Sequence, residues 1–82
     1  MEHMATTRTI ELFDIVELME PVGAAPAGAS GAVLEFLGDN RDVAEIEITE
    51  PKLDGLDAIV YATLDKLRLV KPHKSLRSDS SA

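Results

Sequence analysis

Cysteine is absent from this sequence, which excludes disulfides, thiolate metal sites and thiol nucleophiles together. That absence fits a reducing compartment, and a cytoplasmic location is the expectation. Long apolar runs are missing too: none approaches the ~20 residues that cross a bilayer as a helix, so no membrane association is expected. The N-terminus has no apolar stretch of the kind that forms a signal peptide. Met1, Glu2 and His3 read equally well as a cloning remnant, with Met4 as the natural start. Basic residues are scarce through the body. Residues 11–65 hold thirteen Asp and Glu against two cations, Arg41 and Lys52, for a net charge of −11. Such a body repels a phosphate backbone, which disfavours nucleic acid as a partner. Residues 66–82 reverse the sign, with Lys66, Arg68, Lys71, Lys74 and Arg77 against Asp79 for a net of +4.

What is present is the composition of a short folded chain. Eighty-two residues allow one domain. An apolar share of 45% beside 28% charged is a globular balance, not a disordered one. The expected organisation is a flexible N-terminus over 1–10, a domain over 11–70 and a disordered basic tail over 71–82. Within the domain the hydrophobic period is two. "DIVELME" (14–20) alternates, with Val16 and Leu18 on one face, and Pro21 ends it because proline has no N–H for a ladder. "GAVLEFLG" (31–38) puts Ala32, Leu34 and Phe36 on one face and Val33, Glu35 and Leu37 on the other. "VAEIEIT" (43–49) alternates most cleanly, and the "GDN" between these two runs is turn chemistry, so they read as a hairpin. "AIVYATL" (58–64) is rich in β-branched and aromatic residues. "LDKL" (64–67) suits one 3₁₀ turn, and "LRLV" (67–70) is a short closing strand. No stretch of helical period escapes a Pro or Gly break. The expected fold is all-β: a small five-stranded SH3-like barrel with a single 3₁₀ turn before its last strand.

Four short signatures follow one another in this frame: "ELFDIVELME", "PAGASGAVLEF", "AEIEI" and "LDKLRLV". Together they resemble a bacterial family of short SH3-like domains of unknown function, over residues 11–70. More distantly they look like the SH3-like domain of the nitrile hydratase beta subunit. Two departures stand out. Ala29 and Ser30 take the place of charged residues between the family's glycines, and the loop 50–57 is longer and more acidic. The small family brings no catalytic residues. In nitrile hydratase the metal is held by cysteines of the other subunit, and this chain has none, so that activity does not carry over.

Four groups of residues could bear chemistry. "GAAPAGAS" (23–30) differs from the phosphate-binding loop G-x-x-x-x-G-K-[ST] by Ala29 in place of lysine. Pro26 removes an N–H from the cradle, and a strand follows where a helix N-terminus is needed, so no nucleotide is expected. Glu17, Glu35, Glu45 and Glu47 fall on outward strand positions, where a small barrel offers no cleft to shift their pKa values, so they read as a solvated face. Asp39 and Asp42 in "GDNRD" supply too few oxygens for calcium. His3 and His73 sit in the two tails, away from any nucleophile. The expectation is therefore no catalytic residue, no metal and no cofactor.

The apolar residues left on outward positions carry more information. With Val16, Leu18, Leu34, Phe36, Ile46, Ile48, Val60, Ala62, Leu64, Leu67 and Leu69 assigned to the core, Ile15, Met19, Val33, Leu37, Ile59 and Tyr61 face out. Clustered, six such side chains exceed what a monomer usually exposes and mark an interface. The expected role is a non-enzymatic protein-interaction module, bound to another protein or to itself. The acidic body sharpens this to an immunity- or inhibitor-type partner of a basic protein, because complementary charge accelerates encounter. Two alternatives stay open: a small barrel that binds nucleic acid through its basic C-terminal segment, and an accessory subunit of an enzyme.

Overall fold

The computed structural model describes residues 10–73. The suspected cloning remnant, His3 and the tail from Lys74 onward lie outside the described residues. Five antiparallel strands form one sheet: β1 (Ile15–Leu18), β2 (Ser30–Leu37), β3 (Val43–Glu50), β4 (Ile59–Thr63) and β5 (Leu67–Lys71). Their order across the sheet is β4-β3-β2-β1-β5. β4 and β5 therefore sit at opposite edges, yet only the three-residue 3₁₀ turn Leu64–Lys66 joins them. So short a link requires the sheet to coil until its edges approach, as in a small barrel. The fold is thus the all-β, barrel-like arrangement that the strand spacing implied. A second 3₁₀ turn, Gly55–Ala58, leads into β4 from the loop that precedes it. Among the described residues no helix is long and apolar enough to cross a membrane.

Bulges supply the coiling. Leu34 and Glu35 together oppose Glu45, Thr49 is an extra residue between the partners of Gly31 and Ser30, and Val70 is extra between the partners of Val16 and Ile15. Each bulge bends its strand and increases the local twist. The Leu34 bulge also resets the facing of β2. Before it, Val33 opposes Ile46 in the core and is 0% exposed. After it, Phe36 opposes Ala44 and packs on the same core. Val33, expected on the outer face, is therefore a core residue, and Leu34, expected inside, is half-buried. A strict period of two carried through 31–38 misses this, because one extra residue inverts every side chain beyond it.

The core gathers Val16, Leu18, Val33, Ile46, Ile48, Val60 and Leu67 with the small residues Ala25, Ala29, Ala44 and Ala62. Ala25 and Ala29 come from the loop 21–30, which turns inward and closes one side of the core. Val22 and Ala25 exchange two backbone hydrogen bonds of 2.9 Å, with Gly23 at φ 58° in the first central position, as a type II′ turn requires. The loop is then laced to β1: Leu18 N–H donates to Ala29 O and Gly28 N–H to Leu18 O, both at 2.8 Å.

Candidate interaction face

The outer face of the sheet follows from the register. Ile59, Glu47, Ala32 and Ile15 form one cross-strand row. Tyr61, Glu45 and Glu35 form the next, and Thr63, Val43 and Leu37 a third. Strands lie ~4.8 Å apart, so Ile15 and Ile59 are separated by about 14 Å with a carboxylate between them. The outward apolar residues therefore do not merge into one patch. A column of glutamates on the central strands divides them.

The six residues expected to form an interface separate accordingly. Ile15, Leu37 and Ile59 are half-buried on the outer face, and Tyr61 is 53% exposed there. Met19 lies just past the end of β1, exposed, its N–H donating to Lys66 O at 2.8 Å. Val33 belongs to the core, so Val33→Asp would disrupt folding and report nothing about association. Among the described residues Leu56, in the 3₁₀ turn before β4, is the most exposed large apolar residue at 87%. Its sequence signal is weak but visible: a lone leucine inside "DGLD", within a stretch otherwise read as an acidic loop.

Charge on this face is largely of one sign. Glu35 stands directly opposite Glu45, an arrangement that destabilises a strand pair. The Tyr61 hydroxyl makes a long contact of 3.5 Å to Glu45 Oε2. Two of the described cations pair elsewhere: Arg68 with Glu17 on the β5–β1 ladder, and Lys66 Nζ with Glu20 at 2.6 Å. The hydrogen bond and charge of Glu20 raise the Lys66 pKa above its ordinary value. At the end of β4 the Thr63 hydroxyl donates to Asp65 Oδ1 at 2.5 Å, which holds the Asp65 carboxyl below the usual carboxylate range. Removing one of the opposed charges should help the fold. Glu35→Gln is expected to raise stability by about 0.5 kcal/mol at low salt, with the gain shrinking as salt screens the pair. Urea unfolding at two ionic strengths checks this; a loss of stability would contradict the opposition of the two carboxylates.

The remaining candidates take structural places. Asp39 and Asp42 flank the β2–β3 turn, where Asp42 O accepts the Leu64 N–H at 3.0 Å. In that turn Arg41 adopts φ 55° and lays its guanidinium 5.2 Å over the Phe36 ring. Among the described residues no three His, Cys, Asp or Glu side chains are grouped so as to hold a metal ion. His73 is tied to the body, its N–H donating to Asp14 Oδ1 at 2.7 Å and its ring meeting Phe13 edge-on. Chemically, the outer face offers carboxylates interleaved with half-buried apolar side chains, a surface suited to recognition of a complementary cationic one. No family model, curated protein or solved structure matches this chain.

Proposed function

We propose that this chain is a non-enzymatic protein-interaction module whose outer sheet face binds a basic protein. The observation that carries this reading is the set of carboxylates Glu35, Glu45 and Glu47 on the two central strands. No described cation lies within ion-pair distance of them, and Ile15, Leu37, Ile59 and Tyr61 flank them. Opposed carboxylates weaken the bare sheet, and a lysine- or arginine-bearing surface turns that repulsion into attraction. The flanking apolar side chains supply the area that excludes water from such a contact. A reducing, cytoplasmic setting suits a cysteine-free chain of this kind. The ion pairs of Lys66 and Arg68 favour a protein partner over nucleic acid, because they occupy two of the five cations that a phosphate backbone would have to use.

The test is charge reversal on the central strand. The immobilised chain is expected to retain basic proteins selectively from a mixture of purified acidic and basic proteins, and to release them as salt rises. A Glu45→Lys/Glu47→Lys variant should lose that retention while still unfolding cooperatively. Retention of acidic proteins, or retention indifferent to both salt and the reversal, would contradict the reading.

A further inference from the structure

The two edges of the sheet are built differently. β5 carries Arg68, Lys71 and the Val70 bulge, all devices that keep an edge from accepting another strand. β4 reads IVYAT, without charge or proline, and its register with β3 is unbroken. Its backbone phase can be worked out. Leu64 N–H donates to Asp42 O at 3.0 Å, which continues the β3–β4 register by one pair. Bonded and non-bonded pairs alternate along an antiparallel ladder. Ala62–Ala44 and Val60–Ile46 are then the bonded pairs, and Ile59, Tyr61 and Thr63 turn their backbone groups away from β3. The Ile59 N–H is taken by Leu56 O in the 3₁₀ turn. That leaves the Ile59 carbonyl, both backbone groups of Tyr61 and the Thr63 N–H on an open edge, with no backbone partner from another strand among the described residues.

What surrounds this edge selects its occupant. Leu56 and Tyr61 expose apolar surface along it. Asp57 precedes it, Asp65 follows it, and Glu45 and Glu47 lie on the adjacent strand. We propose that the β4 edge accepts an extended, lysine- or arginine-bearing segment of the partner as a sixth strand, an inference that rests on the interaction role proposed above. Main-chain hydrogen bonds to Tyr61 supply the docking, and the carboxylates on both sides select cationic side chains. A second copy of this chain fits less well, because pairing β4 with β4 brings two such sets of carboxylates together across one edge.

The experiment titrates an N-terminally fluorescein-labelled, amidated peptide of alternating lysine and valine, about eight residues long, with the full chain, followed by fluorescence anisotropy. Binding is expected, and it should weaken with salt. Tyr61→Pro deletes an outward N–H without touching the β3 ladder and should weaken binding about tenfold or more. The wild-type chain provides a second arm that needs no variant. N-methylation of the peptide on one alternate set of residues should abolish binding, and on the other set should leave it intact. Equal binding of both methylated peptides, even if Glu45→Lys/Glu47→Lys abolishes it, overturns strand addition and leaves the acidic interaction face standing. No binding of the peptide at low salt overturns the inference, whereas failure of the broader role shows separately as no selectivity for basic proteins. A dimer that forms without peptide and is lost in Tyr61→Pro replaces the cationic occupant with a second copy and overturns the proposal.

Discussion

Gly31→Ala is expected to cost the fold about 4 kcal/mol or more. Gly31 is buried in β2, opposite Val16 on β1 and Ile48 on β3. Its backbone does not require glycine; the space around it does. A Cβ at this position would sit 2.0 Å from Glu47 O and 2.7 Å from both Glu47 C and Ile48 Cα. Those atoms are main chain, so no rotamer change relieves the overlap. The Thr49 bulge beside this pair folds β3 across β2 and creates the close approach, a known use of glycine within a strand. Admitting a methyl group would push β3 outward and part its pairing on both sides. Overpacking against movable side chains costs about 1–3 kcal/mol. Against backbone on a central strand the cost should be about 4 kcal/mol or more, within the range of severe single substitutions. A domain of this size has a total stability of roughly 4–12 kcal/mol. Circular dichroism and urea unfolding measure the effect. A variant within about 1 kcal/mol of the parent would show that β2 and β3 do not approach this closely.

Residues whose pattern is unambiguous were legible in the sequence, and those that depend on register were not. β3 alternates without interruption from Val43 to Ile48, so its inward residues Ala44, Ile46 and Ile48 could be read directly. β2 is apolar on both faces, and its one charged residue, Glu35, lies at the bulge itself. Nothing local says that Leu34 is the extra residue, so the facing of Val33 came out inverted. In the loop, Ala25 and Ala29 fill the core, yet alanine suits a surface as well as an interior. Besides Gly38 at φ 93°, the β2–β3 turn places a left-handed residue at Arg41, although Asn40 has the stronger intrinsic preference, and the guanidinium finds the Phe36 ring from there. The candidate face divides the same way. The outward facing of Ile59 and Tyr61 is a matter of period, but their place at an open edge depends on strand order, which is a tertiary property. His73 reads as tail because its partner Asp14 is fifty-nine residues away.

That partner is the site of the second large effect, and Asp14→Ala should cost about 2–4 kcal/mol. The Asp14 side chain is a buried carboxylate, with the residue only 2% exposed. Its Oδ2 accepts the Glu11 N–H at 2.8 Å and its Oδ1 accepts the His73 N–H at 2.7 Å. One side chain thus clasps the entry and the exit of the domain. The surrounding backbone fastens the clasp to β2: Val33 N–H donates to Asp14 O at 3.0 Å and Phe13 N–H to Val33 O at 2.7 Å. These bonds hold Phe13 at φ 67°, a left-handed conformation that costs a bulky residue roughly 1–2 kcal/mol. Alanine would strand two N–H groups in partly buried positions, each worth about 1–3 kcal/mol when fully buried, and would let Phe13 relax. Asp14→Asn retains one accepting oxygen and should lose about half as much. Amide hydrogen exchange distinguishes the clasp from general loosening, because the Glu11 and His73 amides should lose protection first. The hydrogen bonds of the clasp run to Glu11, His73 and Val33, none of them on β4. Asp14→Asn that remains folded should therefore bind the lysine–valine peptide as the parent does. Protected Glu11 and His73 amides in Asp14→Ala, with an unchanged unfolding midpoint, would show that the chain ends are held by something other than this carboxylate.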